Sequence, residues 1–299
     1  MKVAITGSTG LVGSALLPML TSGGHEVVRI VRHGAGARGA IGWDPDASAI
    51  DGAALEGMDA VVHLAGESIF GRWTAAKKAR IRDSRVNGTH LLVEILNRLA
   101  QPPKVLVAAS AIGYYGDRAA DILDEESAPG AGFLCDVCRE WEAATQPAAH
   151  RMRVVNLRFG VVLSPAGGAL ATMLTPFRLG VGGPIGGGSQ YMSWIAIDDA
   201  IGVILHALTN PQLSGPVNVV SPDPVQNRAF ATTLGRVLSR PAFLPLPAFA
   251  ARLALGEMAD ELLLASTRVE PQRLKDTGYE FRWPELEPAL RHLLGKSDA

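Results

Sequence analysis

Cysteine is almost missing from this sequence. Two in 299 residues cannot build a disulfide framework, which excludes the small, disulfide-stapled class of fold. Charge of one sign is missing too. Lys and Arg number 28 against 29 Asp and Glu, a net charge of -1, so the chain lacks the cation surplus by which a general nucleic-acid binder neutralises phosphates. No apolar run reaches the ~20 residues that span a bilayer, and no membrane association is expected. The N-terminal MKVAITGSTG turns at glycine too early for a signal peptide. A cytoplasmic protein is therefore expected. No P-loop, no G-x-S-x-G elbow and no His pair at i, i+4 is present, so three common routes to phosphate, ester and metal chemistry are absent. What is there is a globular composition: 47% hydrophobic and 19% charged, which excludes disorder. The length implies about two domains. The 33 glycines and 19 prolines imply many tight turns.

Along the chain, strands alternate with helices. Residues 2–6 read as a short buried strand ending at Gly7. Apolar residues at 11, 12, 15, 16, 19 and 20 have helical spacing, so 11–22 is predicted helical. Pro18 within it removes a backbone hydrogen bond and predicts a kink or a packing shift. Strands are predicted at 26–31, weakly at 41–43, and at 59–65, 104–109 and 153–159. Helices are predicted at about 75–99 and 133–146, the first with Leu91, Leu92, Ile95, Leu96 and Leu99 on one stripe. Near-continuous apolar strands separated by helices specify a doubly wound parallel sheet in an α/β fold. After residue 165 come a glycine-rich loop at 180–189, helical segments at 198–208 and 226–238, and three prolines in 241–248.

The strongest signal is Thr6-Gly7-Ser8-Thr9-Gly10-Leu11-Val12-Gly13, set between a strand and a helix. Gly7 lets the strand turn sharply. Gly10, without a Cβ, lets a pyrophosphate approach the backbone. Gly13 lets the helix pack closely on the sheet. The amides of residues 10–12 then lie at a helix N-terminus, whose positive end favours phosphate. The second strand ends Val31-Arg32-His33, with no Asp or Glu to hold a ribose 2′-hydroxyl. Arg32 can pair with a 2′-phosphate instead, which favours NADP over NAD.

With these residues, the chain resembles the extended short-chain dehydrogenases/reductases and, more narrowly, their atypical SDR39U1-like epimerase family. The resemblance is carried by Gly7–Gly13, His63-Leu-Ala-Gly-Glu67, Ser84-Arg-Val-Asn-Gly-Thr89, Ser110-Ala-Ile-Gly-Tyr-Tyr-Gly116, Gly160-Val-Val-Leu163, residues 176–184, Trp194–Asp199, residues 252–260 and Arg268-Val-Glu-Pro271. It implies an NADP-binding Rossmann domain over 1–165, to which a segment near 190–220 returns. Residues 166–299 would form a smaller α/β substrate-side region, with a C-terminal helical domain at about 245–296. By the same resemblance Arg32 would hold the 2′-phosphate, and His63, Leu64 and Ala65 would lie beside the adenosine half. Gly160 and Val161 would border the nicotinamide. Arg85 stands where extended members often carry Asn; it implies either a phosphate contact or a helix-face salt bridge.

The superfamily's Tyr-x-x-x-Lys pair should open the helix at 133–146. If Glu142 matches the family's downstream Glu, the two positions are Leu134 and Cys138. Neither replaces a phenol whose pKa a lysine depresses, so the usual catalytic set is expected to be missing. The remaining catalytic candidates are Ser110 and Tyr114. Tyr115, Arg158, Gln190 and Trp194, with Asp198, are candidates for the substrate cleft. Cys135 and Cys138 form a C-x-x-C that reads as two buried helical thiols rather than a redox or zinc motif. Two functions are implied. One is an NADP-dependent oxidoreductase or epimerase-like enzyme acting on a small carbonyl or hydroxyl compound. The other is an NADP-binding protein that senses without turnover. A homodimer, common in the wider superfamily, is among the expectations.

Overall fold

A computed structural model describes residues 1–32, 40–45, 47 and 49–296. His33 lies outside the described residues. The strands are β1 Lys2–Thr6, β2 Glu26–Val31, β3 Ala40–Asp44, β4 Ala49–Ile50, β5 Ala60–His63, β6 Val105–Ala111, β7 Ile122–Leu123, β8 Arg153–Phe159, β9 Val161–Leu163, β10 Tyr191–Met192, β11 Trp194–Ala196, β12 Gly215–Val219, β13 Val225–Gln226 and β14 Arg268–Val269. The helices are α1 Leu11–Ser22, α2 Ala75–Arg98, α3 Phe133–Thr145, α4 Gly168–Arg178, α5 Ile197–Thr209, α6 Asn227–Leu238, α7 Ala248–Leu255, α8 Gln272–Asp276 and α9 Leu286–Leu293.

Eight strands form the main sheet in the order β12-β8-β6-β5-β1-β2-β3-β4. All its pairings are parallel except β3 with β4. Alternate residues of one strand enter opposite cores, as the two-residue period of a strand requires. Val3 and Ile5 pack on one side with α1 and α5, whereas Ala4 packs on the other with α2. Val105 and Val107 divide from Leu106 and Ala108 in the same way. Both faces are thus buried, which is why these strands carry no polar alternation. The strand order reverses between β1 and β5, so a crevice opens at the carboxyl ends of those two strands.

Helix α1 runs through Pro18, which stands on its exposed side. β12 joins the main sheet beside β8, whereas β9 pairs with β11, β10 with β13, and β14 with β7. A third core gathers α4, α6 and α9 around Leu174, Phe177, Phe230, Leu234 and Leu290. No described helix is long and apolar enough to cross a membrane.

Candidate functional site

At the crevice, the turn after β1 and the chain leaving β5 touch through their backbones. Gly7 has φ +66°, and a Cβ there would stand 2.6 Å from both the carbonyl carbon and oxygen of Leu64, and 2.8 Å from the amide of Ala65. At Gly13 a Cβ would lie 2.3 Å from the Gly7 carbonyl oxygen. Gly10 donates its amide to that same oxygen at 3.0 Å. Helix α1 therefore starts with no side-chain cap and no acidic residue in its first turn. The amides of Leu11, Val12 and Gly13 are left without intrahelical acceptors at the positive end of the helix. Ser8 is buried and Thr9 exposed at the rim. These residues fit a dinucleotide pyrophosphate: the backbone is bare where the ligand must approach, and nothing anionic competes for the amides.

His63 supports this turn from below. The Thr6 hydroxyl accepts from the amides of Leu64 at 3.1 Å and Ala65 at 3.2 Å. Its single proton therefore goes to His63 Nδ1, 2.7 Å away. That assigns the remaining ring proton to Nε2, which donates to Thr89 Oγ1 at 3.0 Å; the indole of Trp141 donates to the same oxygen. Four elements, β1, β5, α2 and α3, are joined by one chain of bonds around a neutral ring. Burial pushes the imidazole pKa down from 6.5 to about 4. Because the folded pKa is depressed, the unfolded chain takes up the proton first as pH falls. His63 thus contributes its full stability above pH ~6.5 and loses it toward pH ~4, a loss on the order of 3 kcal/mol. Urea unfolding across that range should show the loss, and His63→Gln should flatten that part of the profile. An equally steep profile in the variant would refute the assignment.

At the carboxyl ends of β6 and β8 a second polar group is built. Ser110 and Arg158 face each other in the sheet register. Arg158 is 3% exposed. Its Nε and Nη2 hold both oxygens of Glu142, at 2.8 and 2.9 Å, and Ser110 Oγ donates to Glu142 at 2.7 Å. Arg158 Nη1 donates to the Tyr115 hydroxyl at 2.8 Å, which in turn donates to Asn218 at 2.7 Å. Burial alone would loosen the Arg158 proton, but the Glu142 carboxylate outweighs it and the pKa is raised. Burial pushes the Tyr115 phenol up to about 12, so it does not exchange protons near neutrality. The ring of Tyr114 stacks on the guanidinium at 3.6 Å and meets Tyr115 edge-on. Tyr114 is partly exposed, and no described residue bonds its hydroxyl.

This architecture has close relatives. Residues 3–220 match the NAD dependent epimerase/dehydratase family. The chain belongs to that family. Residues 246–293 match a domain of unknown function, DUF1731. Epimerase family protein Mb2239 of Mycobacterium bovis is 44% identical over 292 residues, 96% of either chain. Human epimerase family protein SDR39U1 is 39% identical, covering 98% of this chain and 100% of the relative. Its crystal structure with NADPH aligns with a TM-score of 0.93 over 99% of both chains.

Within this epimerase/dehydratase fold, the face of α3 turned to the loop after β6 carries Leu134, Cys138 and Glu142, four residues apart. Leu134 and Cys138 are both buried, and burial pushes the Cys138 thiol up to about 12. Cys135 donates to the Gly113 and Ala131 carbonyls and its thiol is raised to about 11, first by burial. Both cysteines are free, buried thiols. Above them the C-terminal segment closes down. The Glu261 carboxylate accepts from the Phe133 and Leu134 amides, each at 2.8 Å, capping α3. Met258 and Leu262 pack with Leu134, Trp73 and Ile81.

The other expected site residues are dispersed. Arg32 is exposed at the end of β2. Arg85 makes no salt bridge with a described carboxylate: it donates to the Glu67 and Ile81 carbonyls at 3.0 and 3.1 Å and lies over the Trp141 ring. Gly160 and Val161 are held against the Ser193 carbonyl, which accepts from Val161 at 2.9 Å. Gln190 is buried and donates to the Ile185 and Leu263 carbonyls. Asp198 faces His292 at 3.2 Å. Three cleft expectations are corrected. Tyr115 is fully buried, its hydroxyl bonded between Arg158 and Asn218. Trp194 is fully buried in the third core, its indole bonded to the Asp223 carbonyl, because β11 turns it inward beneath α4 and α6. Arg158 is closed off by Glu142, Tyr115 and the Tyr114 ring, because a guanidinium opposite a carboxylate satisfies itself inside the protein. Sequence reasoning gave Thr6, Thr89 and Glu261 no role. A Thr immediately before the glycine turn was the available signal for the first.

Proposed function

We propose that this chain binds NADPH in the crevice between β1 and β5 and reduces a small carbonyl compound at the carboxyl ends of β6 and β8. The observation that carries the cofactor half is the glycine turn, closed on Leu64 and Ala65 with the α1 amides left free. The family resemblance and the relative crystallised with NADPH support it. Arg32 supplies the charge for a 2′-phosphate at a strand end that carries no acid. Arg85 adds a second cation beside the chain leaving β5, tied only to carbonyls. NADPH held in the crevice would be the source of hydride for the carbonyl carbon. The chain's own part is protonic. Ser110 is buried and gives its proton to Glu142, so it has none to offer a carbonyl oxygen. Tyr114 has the free hydroxyl and is the group to deliver a proton to the carbonyl oxygen.

The absence of a Tyr-x-x-x-Lys pair from α3, where Leu134 and Cys138 stand buried, favours a second reading, an NADP-responsive protein without turnover. Calorimetric titration of cofactor-free protein separates the cases. NADPH should bind at least tenfold tighter than NADH, ~1.4 kcal/mol, and Arg32→Ala should erase the preference. NADPH oxidation against a panel of carbonyl compounds follows, with Tyr114→Phe lowering turnover at least about a hundredfold. Tight binding with no turnover on any carbonyl selects the second reading; no binding of either nucleotide defeats both.

A further inference from the structure

Seven of the ten large hydrophobic side chains exposed among the described residues lie on the loop after α4, on α7 and on the segment leading into it. Leu179, Phe243, Phe249 and Leu253 are 72–75% exposed, with Val181, Leu244 and Leu246 around them. The two segments form one face. Leu246 donates to the Pro184 carbonyl at 2.9 Å and accepts from the Gly186 amide at 2.8 Å. Gly183 lies against the Leu244 backbone, and Arg240 Nε donates to the Arg178 carbonyl at 3.1 Å. Phe249 and Leu253, four residues apart on α7, share a side of that helix.

Cations predominate on this face; the carboxylates just past α7, Glu257 and Asp260, are paired with Lys78 and Arg252. Within residues 178–189 and 240–256 the ionisable side chains are Arg178, Arg240 and Arg252, with no Asp or Glu. Arg252 pairs with Asp260 beyond the patch; Arg240 bonds carbonyl oxygens only. Contiguous apolar area of this kind marks an interaction site, and three features choose the partner. A symmetric contact with a second copy would bring the arginines of both copies into one apolar interface whose patch offers no carboxylate to pair them. Side chains nearly three-quarters exposed protrude singly rather than line a groove, which suits entry into a fluid layer. The rim cations require an anionic layer.

We propose that this face rests on an anionic lipid surface, its four protruding side chains in the headgroup–acyl boundary and Arg178 and Arg240 against lipid phosphates. Such contact needs no membrane-spanning helix. It stands apart from the cofactor reading, because no residue of the glycine turn takes part.

Sedimentation of the purified protein with vesicles tests it. The protein should pellet with phosphatidylcholine/phosphatidylglycerol vesicles, far less with phosphatidylcholine alone, and progressively less as salt is raised. Arg178→Gln and Arg240→Gln should each weaken binding about fivefold. Phe249→Ser should weaken it at least about tenfold, with unchanged circular dichroism and melting temperature, since the ring packs on little. No pelleting with either vesicle, equal pelleting with both, or wild-type binding by the variants overturns the proposal. So does a dimer in gel filtration that Phe249→Ser converts to monomer, which would assign the face to a second copy.

Discussion

Arg158→Met is expected to lower the unfolding free energy by about 3–5 kcal/mol, because it strands one half of a buried ion pair. Arg158 and Glu142 are 3% and 12% exposed at their side chains and share two hydrogen bonds. Without the guanidinium, the Glu142 carboxylate keeps the Ser110 hydroxyl and loses its counter-charge in a dry setting. The Tyr115 hydroxyl loses a donor and the Tyr114 ring its platform. The pair as a whole is a different matter, since desolvating two ions offsets most of what their attraction returns. Arg158→Met combined with Glu142→Leu should therefore recover most of the loss. Urea unfolding of the two single variants and the double variant gives the coupling directly. Simple additivity of the single effects would mean that the two groups do not act as a pair.

The second large effect belongs to Gly7→Ala. Its backbone sits at φ +66°, a left-handed conformation that costs a side-chain-bearing residue about 1–3 kcal/mol. The new methyl would also stand 2.6 Å from the Leu64 carbonyl group. That is backbone and cannot swing aside, so the two segments must part, at a further cost of about 1–3 kcal/mol. Parting them opens the Thr6–Leu64–Ala65 bonds and deforms the turn that the cofactor reading depends on. NADPH affinity should fall at least about a hundredfold, ~2.7 kcal/mol. Gly10→Ala is the informative contrast. Its Cβ would meet the Gly7 carbonyl oxygen at 3.3 Å and little else, so melting should change slightly while NADPH binding is lost to the methyl in the ligand's path. A Gly10→Ala protein that binds NADPH as the wild type does would place the pyrophosphate elsewhere.

Elements with strong local periodicity were legible from the residues alone. Helix 11–22 and strands 26–31 and 153–159 coincide with α1, β2 and β8, because their apolar spacing and bounding glycines are properties of neighbours in the chain. The weak strand at 41–43 emerged as β3, Ala40–Asp44, and the strand at 104–109 extends through Ser110 to Ala111; that extension sets Ser110 opposite Arg158. The glycine turn was legible for the same local reason, and the absence of a Tyr-x-x-x-Lys pair from 133–145 is plain in the residues themselves. Packing decided the rest. Nothing near Trp194 in the chain says that its indole is sealed beneath two helices. Glu142 and Arg158 meet only because parallel β6 and β8 lie in one register beneath α3, and Glu261 caps α3 from 127 residues away. A charged or aromatic side chain carries the same local signal whether it faces a cleft or a partner. Its role is fixed by what the rest of the chain brings within hydrogen-bonding distance and by how much water that leaves around it.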